Sequence, residues 1–484
     1  MSDTSRRHFL GQSLLVAAMA AAGPAAPAFS RVLEGRRPGP NERIRVGVIG
    51  VRGRGRAHIG GFKKSPDAEV VAICDCDEGV IGPAQKSVPD AEYYRDLREL
   101  LADDSIDAVS IATPNHWHSL AAIWALQAGK HVYVEKPVSH RVFEGRKLVE
   151  AAAKYGKVVQ VGTQARSQPA TREAMQWLLE GGLGRVQRAY GLCYKRRQSI
   201  GKVDGPQDPP ATLDYELWTG PAPRKPLMRT NLHYDWHWDF DTGNGDIGNQ
   251  GVHQMDIARW GLGLDRHPER VQAVGGRYGY VDDGNTPNTQ LALLDYGDRE
   301  VLFEVRGLET PAHPRGASIG VVFQGEEGYL VSASYEKLQA FDLDGKPVKE
   351  FRGSADHYQN FLDAVKAGDP AAVNAPPVEG HLSAAMGHLA NISYKLAAAK
   401  PMAENTAPFA HEAADTAWAA TLDHLKANGL DPAALELGVG PALAFDGAAE
   451  RFTGEWAAGP LTQEMTDPML ARAPRGAFAV PDEV

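Results

Sequence analysis

Cysteine is scarce in this chain: three in 484 residues, Cys74, Cys76 and Cys193. That excludes a disulfide framework, and the spacing fits no structural zinc site, so no metal is expected. A basic surplus is also missing. Lysine and arginine number 51 against 61 aspartates and glutamates, a formal net charge of −10. No long basic run follows the first forty residues, so a nucleic-acid partner is not expected. Long apolar runs are absent too. The alanine-rich stretch from Leu14 to Ala22 is too short to span a bilayer, so no stable membrane anchor is expected.

What remains is an ordinary globular composition with room for two or three domains, 43% hydrophobic and 23% charged. The N-terminus reads differently. Ser5-Arg6-Arg7-His8-Phe9-Leu10 has the form of a twin-arginine signal, and Ala26-Pro27-Ala28 supplies a small-residue cleavage site. Residues 1–40 are therefore expected to be signal peptide and linker, with the twin-arginine export machinery as a partner and a periplasmic or extracytoplasmic location. Substrates of that route cross folded, commonly with a cofactor already inserted.

From Ile44 onward, strands and helices alternate. IRVGVIG (Ile44–Gly50), EVVAIC (Glu69–Cys74), and strands at Ala108, Val132 and Val158 are separated by helical stretches. This predicts a doubly wound parallel sheet, a Rossmann-type α/β domain. After a helix at Thr171–Glu180 the pattern changes. Val186–Cys193, Gln290–Tyr296, Glu300–Val305 and Ser318–Phe323 read as strands of an open, mainly antiparallel sheet in a second, α+β domain. His357–Ala367 and Gly380–Ala399 read as amphipathic helices. Domains are expected at 41–165 and 166–400, with 401–484 an irregular extension.

In open parallel sheets, ligands sit at strand ends. Three such ends carry candidate groups. After the first strand, Gly50, Gly53 and Gly55 let backbone approach a pyrophosphate at a helix N-terminus, although the spacing is shifted from G-x-G-x-x-G and Arg52 takes the middle glycine's place. Asp75 ends the second strand twenty residues beyond Gly55. A carboxylate there binds ribose hydroxyls and favours NAD, while Arg52 and Arg54 blunt that preference and leave NADP open. At the later ends stand Thr113-Pro114-Asn115 and Glu135-Lys136-Pro137, with Lys136 the candidate active-site amine. His116 reads as a surface or loop histidine. The run His233-Tyr234-Asp235-Trp236-His237-Trp238-Asp239 offers aromatic faces for a pyranose; Tyr234, Trp236, His237 and Trp238 are candidate substrate contacts.

Taken together, the glycine loop, T-P-N-x-x-H, A-L-x-A-G-K-H-V, E-K-P and GNGDIGNQGVHQMDIARW resemble the glucose–fructose oxidoreductase/inositol dehydrogenase (Gfo/Idh/MocA) family. The resemblance runs from Ile44 to about Ala399. It implies an NAD(P)-dependent oxidoreductase that acts on a carbinol of a sugar, glycoside or cyclitol, and a homo-oligomer formed through the open sheet. It implies that Lys136 contacts the reacting hydroxyl, and that Asn115 and His118 lie on the cofactor side with Thr113 and Glu135. The family commonly carries an aspartate and, four residues on, a histidine on one helix face. Here those positions are Asn249 and His253, and an asparagine cannot accept a proton at neutral pH. The proton relay then falls to Lys136 and His253, with Asp246 a substitute near the helix start. Two alternatives stay open: an NAD-dependent glycoside hydrolase or lyase working through transient oxidation, and a non-catalytic sugar-binding member.

Overall fold

The computed structural model describes residues 42–456, 459–460 and 463–484. The expected signal and linker lie outside the described residues. The first sheet is built from β1 (Ile44–Ile49), β2 (Ala68–Cys74), β3 (Glu92–Tyr94), β4 (Ala108–Ile111), β5 (His131–Val134) and β6 (Val159–Val161). All pairs are parallel, in the order β3-β2-β1-β4-β5-β6. The strands are short and almost wholly apolar because helices cover both faces. Val46 and Val48 pack with Phe62 on one side; Ile49, Val109 and Ile111 pack with Leu120 and Ile123 on the other. The covering helices include α1 (Arg54–Lys64), α2 (Gly82–Ser87), α3 (Leu97–Ala102), α4 (His118–Gln127) and α5 (Val142–Tyr155). Strand order reverses between β1 and β4, which opens a crevice at their carboxyl ends.

Helix α6 (Pro169–Leu179) leads into the second sheet, whose central strand is β7 (Val186–Tyr194). Around it lie β8 (Arg270–Gly276), β9 (Thr289–Asp295), β10 (Glu300–Arg306) and β11 (Ile319–Gly325), followed by the β12–β14 meander of Gly328–Ser332, Lys337–Asp342 and Pro347–Arg352. β7 pairs parallel with β10, and the other pairings are antiparallel. Between β7 and β8 the chain forms short helices α7 (Tyr215–Thr219), α8 (Leu232–Asp235) and α9 (Gly245–Gly248), then α10 (Gly251–Gly261). The inner face of the sheet holds the largest core, where Met255 and Ile257 of α10 meet Phe303 and Phe323.

Two expectations need correction. Helix α11 (His357–Ala367), read as part of the second domain, packs Phe361, Leu362 and Val365 into the first sheet's core beside Phe62 and Tyr133. The residues from 401 onward are not irregular. After α12 (Pro377–Lys395) and β15 (Ala398–Pro401), helix α13 (Glu412–Ala427) lays Trp418, Leu422 and Leu425 against Val274, Leu291 and Leu302 on the sheet's outer face. Removing the fully buried Trp418 side chain would cost about 3–5 kcal/mol. Strands β16 (Glu436–Val439) and β17 (Leu443–Asp446) then add to β8. The tail returns to the first domain, with Phe478 edge-on to Trp117 at 5.6 Å. Arg472 joins Glu144 of α5 (2.9 Å) to the Asp241 carbonyl (3.0 Å). The segment thus covers part of the face where subunits were expected to meet. No helix among the described residues is long and apolar enough to cross a membrane.

Candidate active site

A cavity of about 590 Å³ lies where the β1, β2, β4 and β5 ends face the second domain. On its cofactor wall, Gly50 has φ +81°, and a Cβ there would sit 2.8 Å from the Ala112 carbonyl carbon. A Cβ on Gly55 would be 1.8 Å from the Gly50 oxygen, so the loop closes only with glycine at both places. Helix α1 begins at this loop without a side-chain cap or an acidic residue in its first turn, which leaves N–H groups and the positive helix end free for an anion. Arg52 is exposed and donates to the His233 carbonyl at 3.2 Å. Asp75 accepts from the Val51 and Asp77 N–H groups (3.0 and 3.1 Å). Each oxygen keeps lone-pair capacity for a ribose hydroxyl, and burial pushes its carboxyl pKa up. These residues fit a dinucleotide.

Between the two walls stand the later strand ends. His118 is buried, with Nδ1 2.6 Å from the Pro137 carbonyl and Nε2 2.8 Å from that of Thr113, so its ring ties the β4 end to the β5 end. Asn115 reaches across to Asn244, its Nδ2 3.3 Å from Oδ1. His116, expected at the surface or in a loop, is only 1% exposed, wedged between the Trp218 and Thr242 carbonyls. Glu135 faces inward: its Oε1 accepts from Arg54 Nε (2.7 Å) and His58 Nε2 (3.0 Å). Burial disfavours its charge, but Arg54 and His58 outweigh that and hold its pKa well below the usual carboxylate range. Arg54 Nε is thus engaged by Glu135.

Lys136 precedes a cis peptide bond to Pro137. Its Nζ donates to the Asn249 carbonyl (3.0 Å) and to Asn249 Oδ1 (3.1 Å). Burial, set against the Glu135 charge, lowers its pKa to about 8. Asn249 and His253 do not share one continuous helix. Asn249 ends α9, Gln250 caps α10, and His253 N–H bonds the Gln250 oxygen at 3.3 Å. The His253 ring lies 5.5 Å from that of Tyr335. Its Nδ1 is sealed and without a partner, which leaves Nε2 to meet a ligand. Burial first, then Lys136, lowers its pKa to about 3, so it is neutral at physiological pH.

On the opposite wall, Tyr234, Trp236 and His237 line the cavity, with His237 stacked on Trp236 at 3.6 Å. Trp238 is buried behind them, under the Arg197 guanidinium at 5.1 Å. Asp246 is no free proton acceptor: both its oxygens take Arg197 Nε (3.2 and 2.9 Å). His233, which opens the aromatic run, lines the cavity too, as do Lys195, Arg197, Gln164 and Tyr335, which the sequence reading missed. Lys195 and Arg197 follow the β7 end, the same signal that marked Lys136. A separate cluster, His267, His381 and Glu450, brings three metal-type ligand atoms within 4.8 Å. Arg146 Nε shares the same Glu450 oxygen at 3.1 Å, so a cation already sits there.

Residues 44–163 match the oxidoreductase family described as an NAD-binding Rossmann fold, and residues 173–279 match its C-terminal alpha/beta domain. Both segments are therefore similar to the Gfo/Idh/MocA oxidoreductases. Its first domain is accordingly an NAD-binding Rossmann domain. Among similar proteins is Glycosyl hydrolase family 109 protein 2 of Shewanella sp. (strain ANA-3). It is 35% identical over 173 residues, which covers 31% of this chain and 38% of that protein. Inositol 2-dehydrogenase of Rubrobacter xylanophilus is 35% identical over 149 residues, 30% of this chain and 42% of its own. The chain thus spans about two fifths of the length of these curated relatives. Two solved structures share the fold. The WlbA dehydrogenase from Bordetella pertussis, in complex with NADH and UDP-GlcNAcA, aligns at TM-score 0.54 and 22% identity over 72% of this chain and 97% of its own. Levoglucosan dehydrogenase, in complex with NADH and levoglucosan, aligns at 0.56 and 20% over 72% and 98%.

Proposed function

We propose that this protein is an exported oxidoreductase of the Gfo/Idh/MocA type, acting on a carbinol carbon of a sugar, glycoside or cyclitol. The observation that carries this reading is Lys136: a partly desolvated amine, fixed by Asn249, in the same cavity as the glycine loop and His253. Bound NAD would supply the hydride acceptor, with its pyrophosphate at Gly50–Gly55 and its ribose at Asp75. A neutral lysine has two N–H donors and one lone pair. Asn249 offers two acceptors, so both donors are taken and the lone pair is left for the substrate hydroxyl's proton. The lowered pKa populates that neutral form near neutrality. His253 Nε2 orients the same hydroxyl or its neighbour, and Trp236 with His237 offers a platform for the ring. Export is supported by the Ser5–Leu10 motif. Because free dinucleotide is scarce outside the cytoplasm, the cofactor is retained and recycled in place by a second substrate.

Mass spectrometry of the natively purified protein tests the reading. Retained NAD, reduced on addition of a sugar, is expected; protein free of nucleotide that turns over only with added NAD would overturn the retained-cofactor part. The second reading, glycoside cleavage through transient oxidation, is favoured by the similarity to family 109 glycosyl hydrolases. Aglycone release without any external electron acceptor would decide for it.

A further inference from the structure

Charge on the substrate wall is unbalanced. Lys136, Lys195 and Arg197 all line the cavity and all act on His237, lowering its pKa after burial itself. Arg197 is neutralised: Asp246 takes its Nε, and its NH1 donates to the Tyr234 hydroxyl at 3.0 Å. Glu135 is committed to Arg54 and His58. Lys195 has neither a side-chain hydrogen bond nor an ion pair among the described residues. Its placement follows from the chain just past β7, where alternate residues face opposite ways. Arg196 points outward to Glu309 at 3.4 Å, whereas Lys195 and Arg197 turn into the cavity. The amines of Lys136 and Lys195 thus face one cavity, and Lys195 has no carboxylate partner there among the described residues. A cationic side chain turned into a cavity without a partner is a ready donor to an anionic group of a ligand.

We propose that the ligand brings such a group: the substrate is an acidic sugar, whose anionic substituent pairs with Lys195 while a ring hydroxyl meets Lys136. This rests on the reading of the cavity as a sugar-oxidoreductase site. A uronic carboxylate and a sulfate ester share the required chemistry.

Calorimetric titration of the full protein with NAD present tests this using matched pairs: methyl glucuronide against methyl glucoside, methyl galacturonide against methyl galactoside, and glucose 6-sulfate against glucose. In at least one pair the acidic member is expected to bind about tenfold more tightly, the scale of one charge-assisted hydrogen bond. The ratio should shrink at high salt and collapse toward one in Lys195→Met, which keeps most of the apolar stem. Which pair shows the preference identifies carboxylate or sulfate. Equal affinities in every pair, no binding by any member, or an undiminished ratio in Lys195→Met would each overturn the inference. Following cofactor absorbance in parallel separates it from the functional reading. Acid preference without cofactor reduction sinks only the oxidoreductase reading; reduction by neutral sugars without acid preference sinks only this inference.

Discussion

Lys136 Nζ lies 3.0 Å from the main-chain oxygen of Asn249, the carbonyl that an unbroken helix would have given to the His253 N–H. The break between α9 and α10 frees that oxygen, and His253 N–H turns to Gln250 instead. The amine is therefore held by backbone as well as by side chain, and the Asn249 amide that holds it carries no charge.

Replacing Lys136 by methionine should remove the proton acceptor while keeping the stem. A fall in kcat of about 10²–10⁴-fold is expected. In the wild type, kcat/KM for oxidation should rise with pH and level off above about 8, as the amine loses its proton. His253, already neutral, should add no step near pH 6.5. Steady-state rates from pH 5 to 10 check both points.

Asn249→Asp would place a carboxylate about 3 Å from Nζ. An opposite charge favours the ammonium, so the alkaline midpoint of the rate profile should move up by about one to three units. Activity at pH 7 would fall accordingly and recover at high pH. An unmoved midpoint would mean that another group carries the profile.

Asp75→Ser removes the carboxylate that excludes a 2′-phosphate. The preference for NAD over NADP, measured as a ratio of dissociation constants, should fall about tenfold or more. Arg54, whose Nε is engaged with Glu135, should add little to this shift.

Glu450 accepts from His267 (2.9 Å), His381 (2.7 Å) and Arg146. Desolvation opposes its charge, but those donors win and hold its pKa well below the ordinary 4.5. Stability from a depressed carboxylate is complete above the unfolded pKa and is lost as pH falls toward the native one. Glu450→Gln should therefore lower Tm at pH 7 and flatten the fall of Tm below about pH 4.5. Thermal melts across that range provide the check.

Much of the fold was legible because its signals are local. Helix α5 falls at Val142–Tyr155 and α11 at His357–Ala367 as the 3.6-residue periodicity predicts. Strand β3, three half-exposed residues, gave no periodic signal. The residues after 401 misled because their apolar groups are scattered over helix, short strands and tail, and find partners only on surfaces made by distant segments.

The sequence by itself determined the alternating strand–helix order, the glycine turn, the carboxylate at the end of β2 and the lysine at the end of β5, since each depends on neighbours a few residues away. Only the tertiary structure decided the working partners. Glu135 proved to be Arg54's counter-ion, Asp246 was taken by Arg197, Trp238 was buried behind the aromatic wall, and Lys195 was turned inward without a counter-charge. The physical reason is that charge pairing and desolvation depend on distances across the fold, and residues 54 and 135, or 197 and 246, meet only once both sheets are in place.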